Sequence, residues 1–152
     1  MMIMKTNVIS GMLIVLGMLV FSCQKDDSLE EGGAGNGATG AGFFYAENGS
    51  TTLLKADEAS AQVQYKTIIA KKDNKTLVEM VLPDLKPGTY SLAARYAFSY
   101  VKLPGVWESS AGTVTITKNE GGKLSGTFDA SAGSGITGVT SVTGKFNDLP
   151  VK

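Results

Sequence analysis

The sequence predicts an all-β domain, a small β-sandwich of about seven to nine antiparallel strands, with a small β-barrel as the alternative. Three observations support this prediction. Apolar residues alternate with polar residues at period two in short segments, turn signals separate those segments, and no stretch of ten or more residues shows a helical stripe. The predicted domain covers residues 43–152, a length that buries enough surface for independent folding.

Short turn signals divide the domain into hairpins. Asn48-Gly49 is the strongest, because both residue types tolerate the left-handed backbone of a tight hairpin; it separates predicted strands at 43–47 and 51–55. Residues 72–75 and 119–122 contain Asn, Asp or Gly and predict two further turns. Between these signals we expect no more than one helical turn, at residues 57–62.

Period-two patterns also predict which side chains face the core, since alternate residues of a strand share a face. One long strand with a single inward face is predicted from Tyr90, Leu92, Ala94, Tyr96, Phe98 and Tyr100. The same rule groups Val63, Tyr65, Thr67 and Ile69. In the later strands, the residues predicted to face inward are Val114, Ile116, Leu124, Gly126 and Phe128. A last strand or pair of strands is expected at residues 136–146.

The N-terminal residues have the pattern of a cleavable signal peptide. Lys5 is followed by an apolar run at residues 8–21, shorter than the roughly 20 residues that a bilayer-spanning helix needs. We therefore expect a signal peptide over residues 1–22. Met4 precedes Lys5 and is an alternative start to Met1.

The end of the apolar run resembles a bacterial lipobox. Ser22 is the small residue before Cys23, which is the only cysteine of the chain. The resemblance implies that Cys23 is acylated, for example with palmitate, and that this lipid anchors the protein to a membrane. Stable anchoring needs two or more acyl chains. An ordinary signal peptide with an incidental cysteine is the alternative.

The residues after Cys23 resemble the export signal of surface lipoproteins in Bacteroidetes-type bacteria. This signal would comprise Gln24, Lys25, Asp26 and Asp27, and Ser28 lies in a short pattern similar to an O-glycosylation motif of those bacteria. The resemblance implies a lipid-anchored position in the outer membrane, facing the cell exterior. The alternatives are a solvated spacer and the periplasmic face.

A glycine-rich segment separates this signal from the predicted domain. Residues 32–42 contain six glycines and no large apolar side chain. Such a segment cannot bury enough apolar surface to offset the entropy lost on ordering. We interpret residues 23–42 as an acylated cysteine followed by an acidic and Gly-rich tether.

The C-terminal half is similar to β domains of small Bacteroidetes-type lipoproteins. The similarity is carried by the order GTVTIT at residues 112–117, SGTF at 125–128 and GKFNDLPV at 144–151, with Gly88-Thr89-Tyr90 upstream. It covers roughly residues 87–151. The resemblance implies a β fold and a cell-envelope location, and it implies no activity.

The composition argues against several classes of function. The chain has no histidine, one cysteine, and equal numbers of basic and acidic residues, 14 each. Histidine-dependent nucleophilic catalysis and structural zinc sites are therefore excluded, and no basic excess indicates nucleic acid. We expect no catalytic residues, metal or cofactor; solvent-facing acids such as Glu108 and Asp129 have the usual roles of strand and turn residues.

Tyr100 and Trp107 are the candidate ligand platform, because they flank the loop at residues 102–106 and sugar rings stack on exposed aromatic faces. The alternative is that the tyrosine belongs to the core. The sequence thus favours a non-catalytic surface binding or adhesion module for a glycan or a protein. A structural or accessory subunit of an envelope complex is the alternative.

Overall fold

A computed structural model describes residues 39–152, which form eleven β-strands joined by turns. The strands are β1 (Gly42–Glu47), β2 (Leu54–Lys55), β3 (Glu58–Gln62), β4 (Thr67–Lys72), β5 (Lys75–Val81), β6 (Gly88–Ser91), β7 (Phe98–Lys102), β8 (Gly105–Glu108), β9 (Ala111–Glu120), β10 (Lys123–Ser131) and β11 (Ser141–Pro150). No helix in this part of the chain is long and apolar enough to cross a membrane.

The predicted features of the N-terminal region lie outside the described residues. These features are the signal peptide at 1–22, the acylation site Cys23, the export signal at 24–27, the modification site Ser28, and the tether as far as residue 38. All of them stay predictions.

The strands form two antiparallel sheets, which confirms the all-β sandwich. Sheet A has the order β2-β1-β11-β10-β9-β6, and sheet B has the order β3-β4-β5-β7-β8. The sheets are not closed into a barrel. Eleven strands exceed the seven to nine predicted, partly because β2 is only two residues long.

One side of the sandwich is joined by backbone hydrogen bonds as the chain passes from sheet A to sheet B. Ala56 N donates to Phe43 O in sheet A at 2.9 Å, and the next residue, Asp57, donates to Lys71 O in sheet B at 2.9 Å. Lys152 N donates to Ala61 O at 2.8 Å. These bonds bring β3 against β1 and β11.

The three predicted tight turns are confirmed. Asn48-Gly49, Asp73-Asn74 and Gly121-Gly122 all have φ between 51° and 72°. Two consecutive residues with positive φ match the twist of the flanking strands, which explains the choice of Asn, Asp and Gly.

Aromatic side chains from both sheets pack in the core. Phe43 stacks on Phe128 at 5.2 Å between ring centroids, and Phe128 contacts Phe98 of the opposite sheet at 5.6 Å. Val114 and Ile116 are buried as predicted. Such aromatic contacts stabilise the pair of sheets beyond simple area burial.

The long strand predicted at residues 90–100 is wrong. β6 ends at Ser91 and belongs to sheet A, whereas β7 begins at Phe98 and belongs to sheet B. The chain turns between them, with Ala97 N donating to Ala94 O at 2.9 Å, and Tyr96 has φ 66° and is 53% exposed. A periodic pattern can continue across a change of sheet, so it concealed this break.

The predicted inward face of β4 is also wrong, by one residue. Ile68 and Ala70 are fully buried, and residues 63–66 form a turn in which Val63 and Tyr65 are exposed. A slip of one residue exchanges the two faces of a strand. The helical turn allowed at residues 57–62 is instead strand β3, and the last strand covers Ser141–Pro150 rather than the predicted residues 136–146.

Candidate functional site

The aromatic platform predicted at Tyr100 and Trp107 is not formed. The exposed fraction is 2% for Tyr100 and 0% for Trp107, so no sugar ring can stack on either. The two are cross-strand partners of β7 and β8 that both point into the core. Gly133 packs against the indole of Trp107. A Cβ at this position would lie 2.3 Å from Cε2 and 2.4 Å from Cζ2 of the ring. The loop around Gly133 therefore covers Trp107.

Tyr100 nevertheless reaches a groove that opens between the two sheets. We call it the inter-sheet groove, and its volume is about 600 Å³. It is lined by residues of β1, β2, the β4–β5 hairpin and β7: Tyr45, Glu47, Leu54, Lys72, Asp73, Lys75, Thr76, Leu77, Tyr100, Val101, Lys102 and Leu103. Its floor consists of buried tyrosine and leucine side chains, and its rim carries lysines.

A hydrogen-bonded network of three side chains lies in the groove. The Tyr100 hydroxyl donates to Glu47 Oε1 at 2.5 Å, and Lys102 Nζ donates to Glu47 Oε2 at 2.9 Å and to Oε1 at 3.1 Å. Glu47 comes from sheet A and the other two from sheet B. The network therefore holds the mouth of the sandwich together with charge-assisted bonds, which are the stronger kind.

The network shifts the protonation of its members in opposite directions. Burial acts to raise the pKa of Glu47, but the hydrogen bonds from Tyr100 and Lys102 outweigh it, so the pKa lies below its ordinary value of 4.5. Burial, together with the hydrogen bond donated to Glu47, raises the pKa of Tyr100 far above its ordinary value. Burial and the nearby Glu47 charge raise the pKa of Tyr45. Near neutral pH, the groove thus presents an ionised carboxylate beside two neutral phenols.

Three lysines and two acids line the groove, a net charge of +1. Lys102 is paired with Glu47, and Lys72 Nζ lies 2.6 Å from Asp57 Oδ1. In the described part of the chain, neither Lys75 nor Asp73, an acid that also lines the groove, lies within ion-pair distance of an opposite charge. Leu54 and Leu103 add exposed apolar surface at the same rim. The arrangement combines apolar contact, hydrogen-bond donors and acceptors, and two side chains, Lys75 and Asp73, that form no ion pair among the described residues.

A second groove of about 610 Å³ lies along the side of the sandwich, between β3 and the start of β1. Its lining contains three lysines (Lys55, Lys71 and Lys152) and three acids (Asp57, Glu58 and Asp148). These opposite charges balance, so the lining of this second groove carries no net charge. The inter-sheet groove has the features that are typical of ligand sites, namely apolar walls, a few converging polar groups and shifted pKa values.

Within residues 39–152, no group of three or more His, Cys, Asp or Glu side chains could hold a metal ion. No protein-family model, curated protein or solved structure matches the chain. Residues 39–152 thus form a two-sheet β domain that carries an amphipathic groove between its sheets.

Sequence reasoning missed Glu47 and Lys102, although the pattern contained a signal for both. Phe43, Tyr45 and Glu47 share one face of β1 at spacing two, and Lys102 shares a face with Tyr100. An acid that continues an inward apolar face at the end of a strand needs a buried partner. That partner is Tyr100, which brings the two strand ends together.

Proposed function

We propose that this chain is an envelope lipoprotein, acylated at Cys23, whose β domain is a non-catalytic module that binds an acidic glycan in the inter-sheet groove. The observation that supports the proposal best is the groove itself. It joins a buried tyrosine and leucine floor to the Glu47–Tyr100–Lys102 network and to Lys75, which forms no ion pair among the described residues.

The shape of the groove favours a small ligand over a protein surface. A concave site of 300–1,000 Å³ is the usual size for ligands that bury most of their own surface. A stable protein interface needs roughly 800 Å² from each partner. A segment of one to three sugar rings fits the first description, because it is compact, has apolar faces and is rich in hydroxyl groups.

The charges of the groove favour an acidic sugar. The Glu47 carboxylate accepts hydrogen bonds, the lysines donate them, and Lys75 has no acidic partner of its own among the described residues. A carboxylate or sulfate on a sugar would form a charge-assisted hydrogen bond with Lys75. A neutral sugar would leave this cation without such a partner.

The direct test uses an array of oligosaccharides that contains matched neutral, uronic-acid and sulfated members. We expect the acidic members to bind the protein more tightly than their neutral counterparts. Amide chemical shifts should then change at residues 45–47, 72–77 and 100–103. Binding of no member, or shift changes confined to other residues, would contradict the proposal.

The envelope location is tested separately. Mass spectrometry of the mature N-terminal peptide should find an acylated Cys23, and the same peptide shows whether Ser28 carries a glycan. Protease treatment of intact cells should then remove the domain while periplasmic control proteins survive. Survival of the domain until the outer membrane is opened would place it on the periplasmic face and would contradict the export signal at residues 24–27.

A second candidate function is that of a structural subunit paired through a sheet edge. In the described part of the chain, β6 (Gly88–Ser91) pairs only with β9, whereas the edge of β3 is bonded by Lys152 and the edge of β8 by Ser134. An open edge is a template for another strand. A photo-crosslinker at Thr89 should capture a stoichiometric partner, and one at Thr127 on the sheet face should not. Equal or absent crosslinking would exclude this alternative.

A further inference from the structure

The end of the domain opposite the inter-sheet groove exposes a cluster of apolar side chains. Four large apolar residues there are strongly exposed: Val63 (57%), Tyr65 (63%), Val81 (43%) and Tyr96 (53%). We call these four residues the tyrosine surface. The tyrosines lie in two turns that precede β4 and β7, the two neighbours of β5 in sheet B, so these turns are about 10 Å apart.

Backbone hydrogen bonds hold both turns against the end of β5. Val81 N donates to Ala97 O at 3.0 Å, next to Tyr96, and Leu82 N donates to Lys66 O at 2.9 Å, next to Tyr65. The two tyrosines are thus presented from fixed turns, and Val81 lies between them.

Two cations accompany the tyrosine surface. The Arg95 guanidinium lies 4.7 Å from the centroid of the Tyr96 ring, and Lys66 directly follows Tyr65. Neither cation has a carboxylate within ion-pair distance among the described residues. Amphipathic aromatic rings beside unpaired Lys and Arg fit the interface of an anionic membrane, where rings lie at headgroup depth and cations contact phosphates.

The chain enters the domain at this same end. Gly40 O accepts a hydrogen bond from Asn147 Nδ2 at 3.2 Å, and β11 then runs on until Lys152 O accepts one from Val63 N at 2.9 Å. Residues 24–38 lie between this entry and Cys23. A chain of that length reaches at most about 50 Å when fully extended. A lipid attached to Cys23 therefore sets an upper limit on the distance between this end of the domain and the bilayer.

We infer that the tyrosine surface docks on the anionic lipid surface that holds the Cys23 acyl chains, which turns the inter-sheet groove away from the membrane. This inference rests on the lipid anchor of the proposed function. Tyr65 and Tyr96 enter the headgroup region, and Lys66 and Arg95 contact lipid phosphates. The membrane thus fixes the orientation of the module and presents its groove outward.

The first experiment separates the surface from the anchor. The chain from residue 23 onward with Cys23→Ser, which cannot be acylated, is mixed with vesicles of phosphatidylcholine alone or with 30% phosphatidylglycerol. We expect binding to the anionic vesicles that falls roughly tenfold when Tyr65→Ser and Tyr96→Ser are combined. Leu103→Ser, an equally exposed residue beside the groove, is the matched control and should leave binding unchanged. Equal loss in the control, or no dependence on anionic lipid, would overturn the inference.

The second experiment measures orientation in the acylated protein. Because acylation blocks the thiol of Cys23, a single fluorophore can be placed at Gln64→Cys beside the tyrosine surface or at Ser50→Cys near the groove. Headgroup-quencher lipids should quench the label at position 64 strongly and the label at position 50 weakly, and the tyrosine double variant should remove this difference.

Equal quenching at the two positions in the acylated protein would overturn the inference and leave the anchor intact. Absence of an acylated peptide would remove the anchor, while the vesicle experiment would still test the surface. Tyrosine-dependent binding to the oligosaccharide array with no binding to vesicles would overturn membrane docking and assign the surface to a glycan.

Discussion

The groove end and the tyrosine end of this domain use the same residue types in opposite ways. At the groove, Tyr100 is buried and its hydroxyl is bonded to Glu47, which is in turn paired with Lys102. At the other end, Tyr65 and Tyr96 are mostly exposed, and the neighbouring Lys66 and Arg95 form no ion pair among the described residues. Groove side chains therefore hold the sheets together as well as shaping a site, whereas the tyrosine surface contributes little to the fold. Substitutions should separate the two roles.

The largest difference is expected between two tyrosine truncations. Tyr100→Ala leaves a cavity in the core and removes one of the two side chains that donate hydrogen bonds to Glu47, so it should lower the free energy of unfolding by about 3–5 kcal/mol. Tyr65→Ala should change it by less than about 0.5 kcal/mol, because the side chain is exposed. Urea unfolding measures both changes. Similar losses of unfolding free energy in the two variants would contradict the claim that only the groove end stabilises the fold.

Glu47→Gln should have an intermediate effect. The substitution removes the charge that accepts hydrogen bonds from Tyr100 and Lys102, and the Glu47 side chain is only 21% exposed. We expect a loss of about 2 kcal/mol in the free energy of unfolding. Lys66→Ala serves as the surface control and should cost almost nothing. A Glu47→Gln variant as stable as the native protein would show that the network does not join the sheets.

The contribution of Glu47 should also depend on pH. Because its pKa in the folded protein lies below 4.5, the folded state favours the ionised form. The resulting stability is present above the ordinary pKa and is lost as the pH falls through the lowered value. The stability difference between the native protein and Glu47→Gln should stay constant above about pH 5.5 and shrink towards about pH 3. A difference that grows on acidification would contradict the direction of the shift.

The smallest effect on stability is expected at the groove rim. Leu103 is 66% exposed, so Leu103→Ser should change the free energy of unfolding by less than about 0.5 kcal/mol. Its apolar contact with a bound sugar would be lost, so affinity for the acidic oligosaccharide should fall severalfold. Val63→Ser, at the tyrosine end of the domain, is the control and should leave this affinity unchanged when both variants are measured by calorimetric titration. Equal affinity in both variants would remove Leu103 from the site.

The fold was predictable from local signals, and the site was not. Turns such as Asn48-Gly49 and Asp73-Asn74 are specified by their own backbone preferences, and alternation correctly placed Val114 and Ile116 in the core. The groove depends on which strand ends meet. Glu47 and Tyr100 are 53 residues apart in sequence and come from different sheets, and no periodic pattern encodes that pairing.

The misplaced platform has a related physical cause. Trp107 follows a Pro-Gly turn, which suggested exposure, but its burial depends on the distant loop at Gly133. Tyr96 fits an alternating strand pattern, yet it lies in the turn where the chain leaves sheet A for sheet B. Alternation indicates relative faces within a strand, and it carries no information on where a strand ends or what covers it.

The most direct test of the proposed site compares two lysines that have no acidic partner among the described residues. Lys75 lies on the rim of the groove and Lys66 at the tyrosine end. Lys75→Ala and Lys66→Ala should both fold normally, and the affinity of each for the tightest-binding acidic oligosaccharide can be measured by titration calorimetry. We expect Lys75→Ala to weaken binding about fivefold to tenfold and Lys66→Ala to leave it unchanged. Equal affinity of the two variants, or a loss only in Lys66→Ala, would contradict the assignment of the ligand to the inter-sheet groove.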